Sequence, residues 1–345
     1  MKKKILIVVG ITILFLGTCI IQSVAIDNVK KSSSPISSGN TLYVGGSGEG
    51  NYTSIQDAID NASEGDTVFV YDDISPYYEY IVVHKSINLI GEDKNTTIID
   101  GSESGIGITV NTGWVTISSF TIQNCSSGIL IGSDYNIISD NFIKNNEFGI
   151  DILYTGKNTI KNNFFANNAW GISVWDSDDI IIEHNYIFSN VEGVELKDSR
   201  NSNITNNLIF ENDENGVKIW THSRDSKNNL VKCNNISNNR CGISVTDSYY
   251  VTIENNNIYH NNQTGLSLAW SRGCTISKNN LIENSRNAYF RNIFSTYRKN
   301  KWDNNYWSDY KGIFGFPKII RGKLYFLPSF ALDWHPAKEP YDMKV

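Results

Sequence analysis

Methionine is nearly absent from this 345-residue chain, at two residues, and histidine is scarce, at five. Soft-metal sites need Met, Cys and His in convergent geometry. Here His84, His184, His222, His260 and His335 are far apart, and Met343 is the one methionine beyond the initiator. A copper site has little to draw on. Positive charge is short as well: 30 Lys and Arg against 36 Asp and Glu leave a net charge of -6. With the basic residues scattered, the footprint of a nucleic-acid binder is excluded. Long apolar runs are missing after residue 21, so a membrane can be met only through the N-terminal segment.

That segment reads as an export signal. Met1 and three lysines precede a mostly apolar run from Ile5 to Ile21, and Ser23-Val24-Ala25 supplies the small residues of a signal-peptidase site. Residues 1–25 are expected to be a signal peptide cleaved after Ala25. An uncleaved membrane anchor is the alternative, since the run approaches spanning length. Residues 26–40, rich in Ser and Lys, read as a flexible linker. The expected location is extracytoplasmic, either secreted or at the cell surface. Asn51, Asn95, Asn203 and Asn262 stand in sequons, which permit glycosylation there without requiring it.

What the chain does have is asparagine in fixed phase. Asn141, Asn163, Asn185, Asn207, Asn234, Asn256 and Asn279 each sit between apolar residues, at steps of 22, 22, 22, 27, 22 and 23. A glycine recurs in nearly the same phase, at Gly149, Gly171, Gly193, Gly216, Gly242 and Gly265. Self-similarity at this period is a solenoid signature. Within each unit, short runs alternate apolar and polar residues, which is strand periodicity, and no unit can hold a crossover helix. Successive turns must therefore stack by parallel pairing, which predicts an all-β, single-stranded parallel β-helix. Identical amides stacked at one corner can hydrogen-bond along the axis as a ladder.

Both ends depart from the repeat. Thr53 to Ala62 places apolar residues at i, i+3, i+4 and i+7 behind a hydroxyl cap, predicting a short helix over the first open coil. Residues 41–110 are read as the N-terminal cap and first coils, 111–287 as the regular repeat, and 288–345 as a C-terminal cap and tail. The last region carries Trp302, Tyr306, Trp307, Tyr310, Phe314, Phe316, Tyr325, Phe326, Phe330 and Trp334. These rings are expected to seal the final coil in an irregular aromatic cap; a platform for sugars is the alternative. Of the cysteines beyond the signal, Cys125 and Cys233 lie about 24 Å apart at one strand spacing per coil. Only Cys233 and Cys241 share a turn. Mostly free, buried thiols are expected, with that pairing left open.

The segments Leu42-Tyr43-Val44, Ser54 to Asp60, Gly65 to Val68, Ser86 to Gly91 and Thr97 to Gly101 resemble the start of NosD-like right-handed parallel β-helix proteins. The tail from Trp302 to Trp307, with Asp333 to Pro340, is similar to archaeal surface members of that group. The resemblance implies a right-handed, pectate-lyase-like solenoid and export. It leaves activity open, because this fold hosts lyases, hydrolases, adhesins and copper-accessory proteins. The copper-accessory role suits the ligand content poorly.

The large irregularity is the 27-residue step. Four extra residues follow Gly216, and the resulting bulge, Trp220 to Lys227, holds His222, Arg224 and Asp225. Phase sets Asp198 and Arg200 one coil below, Asp176, Asp178 and Asp179 two below, Asp247 and Tyr249 one above, and Trp270 two above. Three chemistries compete for this face. A polysaccharide lyase would hold Ca²⁺ on Asp176, Asp178, Asp179 or Asp198 and use Arg224 as base, so His222, Arg224, Asp225 and Asp198 are the catalytic candidates. A glycosidase would need two spaced carboxylates. A surface for a polysaccharide or cell-surface glycan would use Trp175, Trp220, Tyr249 and Trp270. Against all three, Asp176-Ser177, Asp198-Ser199 and Asp247-Ser248 recur in phase, as turn chemistry would.

Overall fold

One 22-residue unit makes one turn of three short strands, because its apolar runs are brief and its polar residues tolerate tight corners. In the unit opening at Ile137 the strands are Ile137–Ser139, Phe142–Lys144 and Phe148–Leu153. Each pairs in parallel with its equivalents above and below: Ile138 with Ile117 and Ile160, Ile143 with Ile122 and Phe165, Ile150 with Ile129 and Ile172. The result is a parallel β-helix with three stacks of strands. The structure, a computed structural model, describes residues 39–102, 105–292, 299–312, 316–325 and 327–343. The expected signal or anchor, and nearly all of the linker, lie outside the described residues.

Alternation decides which side chains enter. Ile138, Ile143, Ile150 and Ile152, with their equivalents turn after turn, are fully buried in one apolar column. Each such side chain contributes roughly 1.5–3 kcal/mol of transfer free energy. Corners are made by left-handed residues, in this unit Asp140 (φ 60°), Asn145 (φ 57°), Tyr154 (φ 55°) and Lys157 (φ 57°). Asn and Asp bear that conformation best among residues with a Cβ, which accounts for the asparagine-rich composition. The repeated glycine has a different cause. A Cβ on Gly171 would stand 2.6 Å from the carbonyl oxygen of Gly193, and one on Gly216 would stand 2.8 Å from that of Gly242. Neighbouring backbones approach too closely there for any side chain.

The ladder is present from Asn141 to Asn279 and runs one rung further. Asn163 donates its backbone N and Nδ2 to Asn185 Oδ1, at 3.0 and 3.2 Å, and its Nδ2 also reaches the Ile138 carbonyl at 2.9 Å. Asn279 hands on to Asn305, and Asn305 to the carboxylate of Asp333. A second ladder occupies the next corner, through Asn146, Asn168, Asn190, Asn212, Asn239, Asn261 and Asn284. It has the same steps, but the search for one asparagine per turn passes over it.

The N-terminal helix is Ile55–Asn61, capped by Ser54 Oγ accepting from Asp57 N, with Ile55, Ala58 and Ile59 buried over the first coil. At the other end, Trp302 and Trp307 seal the core. An antiparallel hairpin, Lys318–Leu324 with Leu327–Asp333, follows. The expectation that the tail rings close the solenoid therefore holds for two tryptophans. Phe316, Tyr325, Phe330 and Trp334 are at least half exposed: Phe330 points off the second hairpin strand, Tyr325 lies in the turn, and Phe316 and Trp334 flank the hairpin. Phe314 and Phe326 lie outside the described residues. Cys125, Cys233, Cys241 and Cys274 are free thiols, and all but Cys233 are buried.

Candidate functional site

The bulge lies between the strands Asn215–Trp220 and Leu230–Lys232 and is held down by carboxylates of the two coils below. Asp198, fully buried one coil below, accepts the backbone N–H groups of His222 at 2.6 Å, Ser223 at 3.0 Å and Arg224 at 3.1 Å, together with the Ser223 hydroxyl at 3.0 Å. Burial pushes the Asp198 carboxyl up, but these donors outweigh it and hold the group below the usual carboxylate range. Its oxygens are committed to the loop. Arg224 reaches two coils down and pairs with both Asp176 and Asp178. The Asp176 bond raises its pKa above the ordinary guanidinium value, the opposite of what a proton-abstracting base needs. Asp225 is exposed, with its carbonyl accepting from Arg200 Nε at 3.0 Å, and His222 is exposed with its ring edge-on to Trp220.

The four aspartates named for calcium do not converge. Asp176 and Asp178 hold Arg224, Asp198 holds the loop amides, and Asp179 is an exposed left-handed corner at φ 58°. Among the described residues no three His, Cys, Asp or Glu side chains gather as a metal site. The recurring Asp-Ser pair proves to be turn chemistry: Ser177, Ser199, Ser248 and Ser271 are buried, and Ser177 N donates to Ser199 Oγ, Ser199 N to Ser226 Oγ, and Ser248 N to Ser271 Oγ.

A richer constellation lies beside the bulge, on the outer face of the long-strand stack. Register places Leu153, Trp175, Lys197 and Trp220 in one column and Asp151, Ser173, Glu195 and Lys218 in the next. The Lys197 ammonium sits between two indoles, 3.8 Å from the Trp175 ring centre and 4.9 Å from that of Trp220. Trp220 donates its indole N–H to Glu195 Oε1 at 3.0 Å, and Lys218 bridges Glu195 at 2.9 Å and Glu192 at 3.3 Å. Burial would lower the Lys218 pKa, but Glu195 and Glu192 outweigh it and raise it. Burial pushes the Asp151 carboxyl up to about 6, against the Ser173 hydroxyl and helped by Glu147 and Glu195. Lys197, Glu195, Lys218 and Asp151 were legible: they stand two or four residues after the repeated glycines, where alternation points outward.

Of the remaining ring candidates, Tyr249 is half-buried on the stack of short bridges that follows the bulge, between Lys227 and Arg272. Asp247 and Trp270 lie further along and line a separate cleft at the C-terminal end. The third stack of strands also carries rings at coil spacing, but Phe164 and Tyr186 stack face to face at 4.8 Å and 10°. Their facing surfaces are used on each other.

A family model for the right-handed β-helix region matches residues 104–224, and one for the periplasmic copper-binding protein NosD matches residues 167–312. No curated protein matches. Among solved structures, the A-module of the Azotobacter vinelandii mannuronan C-5 epimerase AlgE6 is similar, with TM-score 0.59 and 17% identity over 73% of this chain and 80% of that one. The A-module of AlgE4 from the same organism gives 0.55 and 16% over 73% and 81%. XylC in complex with xylose gives 0.55 and 10% over 83% and 75%. At these identities the likeness is one of fold. The copper donors do not fit: Cys125, Cys241 and Cys274 are buried on different coils, and among the described residues no three His, Cys, Asp or Glu side chains converge. Among the described residues no helix is long and apolar enough to cross a membrane.

Proposed function

We propose that this chain, a right-handed parallel β-helix similar to NosD over residues 167–312, is an exported carbohydrate-binding protein of the periplasm or cell surface. Its polysaccharide lies along the outer face of the long-strand stack, over Trp175, Lys197 and Trp220. One observation carries this reading: the two indoles alternate with an ammonium along the axis, beside a parallel column of carboxylates and Lys218. Each step is about 4.8 Å, close to the length of one pyranose unit, so an extended glycan meets a ring or a charged hydrogen-bonding group at each sugar. The bulge follows Trp220 directly, and Ser226 Oγ donates to the Trp220 carbonyl at 2.8 Å.

The test is a glycan array followed by calorimetry on the captured ligand, with wild type beside the Trp175→Ala, Trp220→Ala double variant. Binding should fall by more than about tenfold when both rings go. Undiminished binding by the double variant sinks the assignment.

A second reading, glycosidic hydrolysis, draws on Asp151 and Glu195. Two strand steps separate them by about 10 Å, just past the wide end of the spacing that admits a water between paired carboxylates. Burial keeps the proton on Asp151 to about pH 6, as a general acid needs, while Lys218 and the Trp220 indole already occupy Glu195 Oε1, so a base role there requires its other oxygen. New reducing ends, lost on Asp151→Asn, would select hydrolysis; binding without product selects the module.

A further inference from the structure

The C-terminal hairpin leaves a second site. Its first strand continues the long-strand stack, with Phe290 opposite Gly322, Arg291 opposite Lys323 and Asn292 opposite Leu324. The returning strand, Leu327–Asp333, meets the coil below at one residue pair, Trp302 with Asp333. It therefore splays away from the solenoid and opens a cleft of about 880 Å³ beneath Ser329 to Leu332. That volume lies in the range of small-molecule sites.

Two features of the lining point to one ligand class. The first is charge: Arg272, Lys299, Lys301 and His335 face two carboxylates, Asp247 and Asp303, inside a protein whose net charge is -6. Asp303 is already shared between His335 Nδ1 at 2.8 Å and Lys301 Nζ at 3.4 Å. Burial raises the Asp247 carboxyl, with Arg272 opposing. The second feature is aromatic. Trp270 lines the wall, and Phe330 and Trp334 line the cleft while 67% and 63% exposed. An anion alone has no use for these rings, and a neutral sugar has none for the cations.

We propose that this cleft binds an acidic saccharide, its carboxylate held by Lys299, Lys301 and Arg272 and the apolar face of its ring laid on Trp334. The site is independent of the lateral face, since Trp175 and Trp220 take no part in it. A cleft for acidic units at this end lets the solenoid hold a chain terminus or branch while the rest of the glycan runs along the side.

Isothermal titration of the mature chain with a galacturonate tetrasaccharide, its fully methyl-esterified counterpart and free citrate tests the proposal. The acidic tetrasaccharide should bind at least about tenfold more tightly than the ester, and its affinity should fall as salt rises. Trp334→Ala and Lys301→Ala, both exposed substitutions, should each weaken it by about tenfold. Trp175→Ala should leave it unchanged. Equal affinity for acid and ester removes the charge argument, and citrate binding as tightly as the tetrasaccharide removes the sugar. Loss on Trp175→Ala instead of Trp334→Ala moves the ligand to the lateral face and overturns the proposal, as does binding of none of the three probes.

Discussion

Asp333 Oδ2 accepts both the backbone N–H and the Nδ2 of Asn305, each at 3.0 Å, and so ends the asparagine ladder on a carboxylate. The indole N–H of Trp307 reaches the same oxygen at 3.0 Å. A ladder of identical amides always leaves its last rung with donors to satisfy, and here one buried acid takes all three.

Replacing that acid is therefore expected to loosen the C-terminal end first. Asp333→Ala strands three buried donors and should cost on the order of 3 kcal/mol, whereas Asp333→Asn keeps an accepting oxygen and should cost about 1 kcal/mol. Hydrogen exchange of amides 301–307 reads the difference. Because solenoid turns contact only their neighbours, protection near Asn141 should not change; a uniform loss along the chain would contradict the capping role.

Asp198 holds the bulge in the same manner. Its carboxyl lies below the usual range because the loop donors outweigh burial. The stability it lends is accordingly present above about pH 4 and lost as pH falls through the lower folded value. Asp198→Ala should expose the Arg224 bond to trypsin at neutral pH while the far-ultraviolet dichroism stays that of the intact β-helix. Wild type should likewise become open to cutting within residues 220–227 by an acid protease as the pH falls through that value. A bulge as resistant in the variant as in wild type would show that Asp198 is dispensable.

The repeat made the fold legible, because one turn of apolar alternation is enough to define the next. The first ladder was legible for the same reason. The second was not: Asn145-Asn146 and Asn167-Asn168 look like generic turn residues until the left-handed corner and the ladder rung are told apart. The bulge could be counted, yet Arg224 finds its partners 48 and 46 residues earlier. Its direction depends on how a long side chain leans across two coils, which spacing does not encode. The Lys197 sandwich needs only strand alternation after Gly193 and could have been drawn from it. The cleft depends on a hairpin outside any repeat.

Asp151 gives the protein an unusual acid dependence. Its folded carboxyl titrates near 6, against about 3.9 in an unfolded chain, so the folded state holds the extra proton in between. Stability should then fall as pH rises from about 4 to 6 and stay reduced above. Asp151→Asn cannot lose a proton and should level that fall. Denaturant midpoints measured from pH 4 to 8 should converge for the two proteins at the acid end and favour the variant at the alkaline end. Parallel curves would mean that water reaches the carboxylate more freely than its surroundings suggest.

Lys197 is the sharpest test of the lateral face, because its two indoles bind a cation whether or not a glycan is present. Lys197→Met keeps the length and apolar stem but removes the charge, and should cost about 1 kcal/mol of stability, the range of a partly exposed cation–π pair. Tryptophan emission should shift, since both rings lose the same neighbour. If the ammonium also donates to a sugar hydroxyl, the glycan captured by wild type should bind the variant about tenfold more weakly. A merely structural lysine predicts the emission shift and the stability loss without the loss of affinity. The two outcomes separate on a single variant, since the rings and Glu195 stay in place and only the charge between them is removed.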